Sequence, residues 1–250
     1  MFQKIRQIIS NKIEKIGILV NYPKAFQAKL SGCPIDLYVM LNSLSRMGIN
    51  FKTILDIGAF EGMFTKSANY VFPDATIHAF EPQRGPYIKL SRLKNKIPNF
   101  NCYNFALGDK ENEETIYVSS FAPSSSLLKM EELHKEAFPF STGENKENIR
   151  VKRLDDVFND QKLIGPVLMK IDVQGYEKYV LNGATTIIDK IDYLICEMSL
   201  SDLYKEQPTF NEIYTQIITY GFTFAGPLAI LRHPNTTEVL QIDGLFIKNK

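Results

Sequence analysis

The most informative part of this chain is the stretch Thr53-Ile54-Leu55-Asp56-Ile57-Gly58-Ala59-Phe60-Glu61-Gly62. Its first five residues form a short apolar run rich in branched side chains, which is typical of a strand buried on both faces. Gly58 and Gly62 then bracket a tight turn, and the apolar residues that follow recur at helical spacing up to Phe72. A strand, a glycine turn and a helix in this order predict a nucleotide-type site in a parallel sheet, because glycines let a ligand approach the backbone.

A second apolar run, Thr76–Phe80, leads into Glu81 and Pro82, with the acid about 20 residues beyond the glycine turn. An acidic side chain in that place can accept hydrogen bonds from two ribose hydroxyls. The glycine spacing differs from the dinucleotide motif GxGxxG, and no Gly-Lys-Ser/Thr follows, so neither an NAD-type loop nor a P-loop is indicated. An ordinary strand–helix turn is the alternative interpretation. The residues predicted to bind the cofactor in these two segments are Asp56, Gly58, Ala59, Phe60, Glu61, Gly62, Glu81 and Pro82.

The composition is that of an ordinary globular protein, with 250 residues, 44% of them hydrophobic and 23% charged. A net charge of +1 argues against a dedicated nucleic-acid-binding protein. Cys33, Cys102 and Cys196 form no CxxC pair, which favours a reducing, cytoplasmic location. No stretch approaches the ~20 apolar residues of a membrane span, and the first residues lack the pattern of a signal peptide.

Residues 1–50 are predicted to form an N-terminal helical extension to a single α/β domain. Within it, residues 1–20 have the pattern of a basic amphipathic helix, and residues 34–47 indicate a second helix that ends at Gly48. The amphipathic helix is expected to pack on the domain or on a second copy of the chain, as in a homo-oligomer. Weak peripheral contact with an anionic membrane is the alternative.

Two further predicted core strands, residues 166–172 and 192–198, carry acidic residues at their carboxyl ends. Asp172 and Glu197 are therefore expected to meet at the open edge of a parallel sheet, as general base and substrate anchor or as ligands of a divalent metal. Asp172 could instead cap the next helix. Strand alternation places Lys170 on the same face as Asp172, as a further catalytic candidate. Residues 119–148 lack clear periodicity and are predicted to be a lid or substrate loop, in which His134 could act as a base.

Several motifs, taken in order, resemble the FkbM family of S-adenosylmethionine-dependent methyltransferases. They are Ile57-Gly58-Ala59-Phe60-Glu61-Gly62, Phe80-Glu81-Pro82, Ala106-Leu107-Gly108-Asp109, Ser125-Ser126-Leu127, Lys170-Ile171-Asp172-Val173-Gln174-Gly175-Tyr176-Glu177 and Val180-Leu181-Asn182-Gly183-Ala184. The resemblance covers roughly residues 51–250. One departure is visible, since Phe60 stands where the family's first motif usually has asparagine.

This resemblance implies a Rossmann-like class I methyltransferase fold, with a mostly parallel central sheet, an antiparallel C-terminal strand and helices on both faces. It implies S-adenosylmethionine as cofactor, with Ala106 and Leu107 beside the adenine and Asp172 also near the cofactor. Some O-methyltransferases of this fold use Mg²⁺, but no metal signature is visible in this sequence.

Members of the family are mostly O-methyltransferases, so the expected activity is methylation of a hydroxyl on a saccharide or glycan precursor. The alternatives within enzymes are O- or N-methylation of a polyketide, a peptide or another small metabolite. A non-catalytic binding module and an NAD-dependent oxidoreductase are alternatives of a different class. The partner of the protein is accordingly expected to be a small molecule or a saccharide, and not a nucleic acid.

Overall fold

The computed structural model describes residues 17, 20–119, 126–128, 144–159 and 163–249, with the side chains of residues 118, 119, 144 and 145 left out. The N-terminal residues 1–16, which include most of the predicted amphipathic helix, and His134 lie outside this part of the chain. The helices are α1 Ala25–Leu30, α2 Ile35–Arg46, α3 Met63–Val71, α4 Arg84–Ser91, α5 Leu154–Val157, α6 Glu177–Asn182 and α7 Phe210–Thr219. Two 3₁₀ turns, Arg92–Asn95 and Ile187–Lys190, complete the helical structure of the described residues.

Seven of the strands form one central sheet. The strands within the described ranges are β1 Thr53–Ile57, β2 Thr76–Phe80, β3 Phe100–Tyr103, β4 Ala106–Leu107, β5 Asn112–Ser119, β6 Glu144–Lys152, β7 Val167–Ile171, β8 Tyr193–Ser199, β9 Phe222–Arg232 and β10 Val239–Lys248. The order in the central sheet is β3-β2-β1-β7-β8-β10-β9. The pairs from β3 to β8 are parallel, whereas β10 is antiparallel to both β8 and β9. The predicted mostly parallel sheet with an antiparallel C-terminal strand is therefore confirmed.

Helices cover both faces of this sheet, because its central strands are apolar on both sides. All five residues of β1 and all five of β7 are buried. On one face, α2 and α3 contribute Leu41, Leu44 and Phe64 to a core shared with Ile54. On the other face, α6 and α7 contribute Val180 and Ile217 to a second core. The carboxyl ends of β1, β2 and β7 consequently meet at one edge of the sheet.

The part of the N-terminal extension that follows the predicted amphipathic helix packs on the domain. Residues of α1 and α2 form a small core of their own that includes Ala25, Ala28 and Tyr38. Tyr38 meets Tyr70 of α3 edge to face, with the ring centroids 5.8 Å apart. Among the described residues, no helix has the length and apolarity needed to cross a membrane.

A second, three-stranded sheet in the order β4-β6-β5 was not predicted from the sequence. Strand β6 begins at Glu144 and pairs antiparallel with β5 over eight residue pairs, from Ser119–Glu144 to Asn112–Val151. The last five residues of the predicted lid, 144–148, are therefore strand, and the rest of that segment, apart from Ser119 and residues 126–128, lies outside the described residues. The sequence pattern at residues 222–225 and 228–231 predicts two short strands. The structure instead has one continuous strand there, β9, so the predicted break is wrong.

Candidate active site

The glycine loop after β1 adopts a backbone conformation that its sequence permits. Gly58 and Gly62 have φ angles of +83° and +81°, and Phe60 between them has +49°. A Cβ atom on Gly58 would lie 1.8 Å from the backbone oxygen of Asp172. Glycine at this position is therefore required twice, for the left-handed conformation and for the close approach of the loop to the end of β7.

Glu81 connects this loop to the end of β2 through hydrogen bonds. Its Oε2 accepts a hydrogen bond from the backbone N–H of Phe60 at 2.9 Å, and its Oε1 accepts one from the N–H of Gln83 at 2.8 Å. Asn104 donates hydrogen bonds from its side chain to the backbone oxygens of Glu81 and Pro82. Burial raises the pKa of Glu81 to about 7. Each carboxylate oxygen still has a lone pair for a further donor such as a ribose hydroxyl.

A cavity of about 460 Å³ opens at the carboxyl edge of the sheet. The predicted site residues that line it are Gly58, Ala59, Phe60, Glu81, Pro82, Ala106, Leu107, Lys170 and Asp172. Its size is within the range of ligand pockets. This cavity is therefore lined by the loop after β1, Glu81 after β2, the residues after β3 and the end of β7.

Four of the predicted site residues do not line this cavity. Asp56 has no exposed surface, and its Oδ2 accepts a hydrogen bond from the hydroxyl of Thr65 at 2.6 Å, beneath the loop. Glu61 points away and forms an ion pair with Lys89 at 2.6 Å. Gly62 is the residue before α3, where an added Cβ would meet Leu90 and Leu93 rather than a ligand. Glu197 lies behind Gln174, as described next.

Asp172 and Glu197 are held together by a residue that sequence analysis did not single out. The side-chain N–H₂ of Gln174 donates to Asp172 Oδ1 and to Glu197 Oε2, both at 2.8 Å. Its Oε1 accepts from the hydroxyl of Tyr204 at 2.8 Å. Gln174 has a φ angle of +56°, which turns its side chain back between the two strand ends. Asp172 and Glu197 are thus neighbours, as predicted, and the side-chain amide of Gln174 bridges them.

Asp172 does not cap the helix that follows it. Glu177 instead accepts hydrogen bonds from the backbone N–H groups of Val173 and Gly175, both at 3.1 Å. Asp172 Oδ2 accepts from Lys170 Nζ at 2.8 Å, and its side chain is 31% exposed towards the cavity. The interpretation of Asp172 as a helix cap is therefore wrong, and its carboxylate is available to a ligand.

The carboxyl groups of this region differ in their ionisation. Burial would raise the pKa of Asp172, but the ammonium group of Lys170 and the hydrogen bonds to Lys170, Gln174 and Glu197 together outweigh burial, so the pKa is lowered. Burial, with the nearby charge of Asp172, raises the pKa of Glu197 well above its ordinary value. Burial would lower the pKa of Lys170, but Asp172 and Asp56 more than reverse this, so the pKa is raised. Of this pair Asp172 is therefore the more readily ionised, and Glu197 holds its proton to higher pH than Asp172 does.

Asp243 is a second residue that sequence analysis missed. It lies on β10, directly opposite Glu197 in the antiparallel register, and lines the cavity with Lys170 and Asp172. Burial, followed by the charge of Asp172, raises its pKa to about 6. The sequence signal was present, since an acidic side chain interrupts the apolar run at 239–247. In the described part of the chain, no cluster of three or more His, Cys, Asp or Glu side chains is arranged to hold a metal.

A sheet in this strand order, a glycine loop after β1 and an acid at the end of β2 define a class I S-adenosylmethionine-dependent methyltransferase. The chain belongs to the FkbM methyltransferase family, because the family model for the methyltransferase FkbM domain matches residues 56–224. The similarity first indicated by the sequence motifs is thereby confirmed.

Three known proteins illustrate what this chain is similar to. The 31-O-demethyl-FK506 methyltransferase FkbM of Streptomyces tacrolimicus is 24% identical over 205 residues, which cover 71% of this chain and 76% of that protein. The 2-O-methyltransferase NoeI of Sinorhizobium fredii (strain NBRC 101917 / NGR234) is 22% identical over 160 residues, covering 62% and 66%. A solved precorrin-6y C5,15-methyltransferase from Geobacter metallireducens GS-15 is 10% identical, covers 84% of each chain and has a TM-score of 0.44, which is too low to carry a conclusion.

The described residues fit S-adenosylmethionine. Glu81 offers two oxygens at the cavity wall, and Gly58 and Ala59 of the glycine loop line the same cavity. Ala106 and Leu107, the two residues of β4, line the cavity beyond Glu81 where an adenine is expected. Phe105 adds an aromatic ring to the same wall.

Proposed function

We propose that the protein transfers a methyl group from S-adenosylmethionine to a hydroxyl of a saccharide or glycan precursor. The observation that carries this proposal is the position of the Asp172 carboxylate, which shares one cavity with the glycine loop and Glu81. The names of the two relatives support transfer to oxygen, since one is a 31-O-demethyl-FK506 methyltransferase and the other a 2-O-methyltransferase.

The cofactor would be held at three points of the cavity. Glu81 would accept hydrogen bonds from the ribose hydroxyls, the backbone around Gly58 would contact the methionine part, and Ala106 and Leu107 would contact the adenine. The cofactor supplies a methyl group on a positively charged sulfur, which is transferred by in-line displacement. The task of the protein is then to align an acceptor oxygen, to exclude water and to accept a proton.

A polyhydroxylated acceptor suits the polar side of the cavity. Asp172 is ionised and rigidly placed, because Lys170 and Gln174 both donate hydrogen bonds to it at 2.8 Å. A carboxylate fixed in this way accepts hydrogen bonds from neighbouring hydroxyls of a sugar and orients them. We therefore assign Asp172 the role of acceptor anchor. Its low pKa makes it a weak base.

A less polar acceptor such as a polyketide is the second candidate. The observation in its favour is the apolar wall of the same cavity, to which Phe60, Phe64, Phe105, Ile116 and Leu127 contribute. Such a wall could pack against a hydrocarbon framework that carries the hydroxyl.

The proposal is tested with S-adenosylmethionine that carries a trideuterated methyl group. Purified protein is incubated with a panel of neutral saccharides, lipid-linked sugars, hydroxylated polyketides and small amines, and the products are analysed by mass spectrometry. We expect a labelled O-methyl group on a saccharide. Labelling of polyketide hydroxyls alone would favour the second candidate. Transfer to amines alone, or to no acceptor while the cofactor binds, would contradict O-methylation.

A further inference from the structure

The carboxyl edge of the sheet holds an acidic cluster that surrounds a single buried cation. Asp56 on β1 is in register with Lys170 on β7, which is in register with Ile195 on β8. Glu197, two residues after Ile195, faces Asp243 on β10. Side chains at paired positions, and at positions two apart, lie on the same face of a sheet. Asp56, Asp172, Glu197 and Asp243 therefore share one face with Lys170.

Three of these four carboxyl groups are engaged by protein donors. Asp56 accepts from Thr65, Asp172 from both Lys170 and Gln174, and Glu197 from Gln174. Asp243 forms no hydrogen bond or ion pair with any residue of the described ranges, although its side chain lines the cavity. Its carboxylate is thus available to a ligand in the cavity.

The charged groups around Asp243 also give it a different pKa from the other acids of this cluster. The titratable groups that face it are Lys170 on β7, Asp172 directly after β7, and Glu197 on β8. Its partner on β9 is Ala229. Lys170 is already paired with Asp172, and burial together with the charge of Asp172 raises the pKa of Glu197. Burial and the charge of Asp172 raise the pKa of Asp243 to about 6, so that it is mostly ionised at pH 7 and above and is a stronger base than Asp172.

We propose that Asp243 is the general base that accepts the proton of the acceptor hydroxyl, while Asp172 anchors the acceptor. In this step the O–H bond of the acceptor breaks and its proton passes to the Asp243 carboxylate. The oxygen forms the new bond to the methyl carbon as the carbon–sulfur bond breaks, and the electron pair of that bond stays on sulfur. The products are the methyl ether, S-adenosylhomocysteine and a protonated Asp243, which then loses its proton to solvent. This inference rests on the proposed O-methylation.

The test is the substitution Asp243→Asn, which keeps the shape of the side chain and removes its basicity. Turnover is measured from pH 5 to 9 at saturating S-adenosylmethionine and acceptor, so that titration of Glu81 in the free protein does not contribute. We expect wild-type turnover to rise with pH, with a midpoint near pH 6 and a plateau above about pH 7. Asp243→Asn should lose this rise and at least ~100-fold in plateau turnover. The matched control is Asp189→Asn, an exposed aspartate paired with Lys248 at 3.0 Å, which should retain wild-type turnover.

Two readouts do not depend on turnover. The dissociation constant for S-adenosylhomocysteine should stay within twofold of wild type in Asp243→Asn. Carbon-13 NMR of labelled aspartate side chains, in the complex with S-adenosylhomocysteine, should show one carboxyl that titrates near pH 6 and is missing from the variant. A carboxyl of Asp243 that titrates near pH 4 would overturn the inference.

The turnover data distinguish the inference from the proposed function. An active wild-type enzyme whose Asp243→Asn variant keeps more than a third of the turnover, with the same pH profile, overturns the role of Asp243 alone. A wild-type protein that methylates no hydroxyl in the panel overturns both.

Discussion

Replacing Glu81 with glutamine should weaken the binding of S-adenosylmethionine and remove its dependence on pH. Burial raises the pKa of Glu81 to about 7, so about half of the free protein carries a protonated Glu81 at neutral pH. Hydrogen bonds from two ribose hydroxyls favour the ionised form. Between pH 6 and pH 8 the ionised fraction rises from about a tenth to about nine tenths, so the affinity of the wild-type protein should rise about tenfold.

The Glu81→Gln variant loses a charged acceptor and should bind S-adenosylmethionine about 1–3 kcal/mol more weakly at pH 8, which is roughly 5- to 150-fold. Isothermal titration calorimetry at pH 6, 7 and 8, in two buffers of different ionisation enthalpy, measures both the affinity and the proton released. The control is Glu238→Gln, at an exposed position in the turn between β9 and β10. A wild-type affinity that is constant within twofold over this range, or an unchanged affinity in Glu81→Gln, would refute the assignment.

The same carboxyl makes a prediction about stability without ligand. The pKa of Glu81 is about 7 in the folded protein and lies at its ordinary value of 4.5 in the unfolded chain. The folded state therefore binds more protons between these values, and stability falls as the pH rises through them. Relative to Glu81→Gln, the wild-type free energy of unfolding should decrease by up to ~3 kcal/mol from pH 5 to pH 8. Urea denaturation at both pH values measures this difference, and an equal pH dependence in both proteins would contradict it.

The remaining predictions concern the loop and the anchor. Gly58→Ala should destabilise the protein by at least ~2 kcal/mol more than Gly48→Ala in urea denaturation, because both glycines have positive φ angles but only a Cβ on Gly58 would collide with the Asp172 backbone. Equal losses in the two variants would contradict the close contact. Asp172→Asn should leave the affinity for S-adenosylmethionine nearly unchanged and lower turnover at least ~100-fold. The same substitution should also move the pH midpoint of the residual turnover below that of the wild type, because the charge of Asp172 contributes to the raised pKa of Asp243. Wild-type turnover in Asp172→Asn would contradict the role of Asp172 as acceptor anchor.

The central strands could be predicted from sequence because their signal is local. Thr53–Ile57 and Val167–Ile171 are continuous apolar runs, as strands buried on both faces must be, and each is followed by the turn that ends it. The sequence predicts a short strand at Ile149–Arg153, which is the second part of β6. The first part, Glu144 to Asn148, gave no such signal, because these residues are polar and are specified by their pairing with β5. Gly226-Pro227 predicts a break in strand β9. The strand is nevertheless continuous, because it pairs with β10 on both sides of these residues, with shifts in register around them.

The site was predictable where its residues follow a strand or a glycine turn. Glu81, Asp172 and Lys170 were found in this way, and the structure brings all three to one cavity. Gln174 was overlooked because its role depends on a left-handed backbone that places an amide between two acids. Asp243 was overlooked because β10 joins the sheet between β8 and β9, an arrangement that only the folded topology reveals.

A crystal structure of the protein with S-adenosylhomocysteine tests the central claim most directly. We predict that the ribose hydroxyls lie within hydrogen-bonding distance of the two Glu81 oxygens, with the adenine beside Ala106 and Leu107. The sulfur should face the part of the cavity that Asp172 and Asp243 line. A ligand bound elsewhere, or a ribose that does not contact Glu81, would contradict the account.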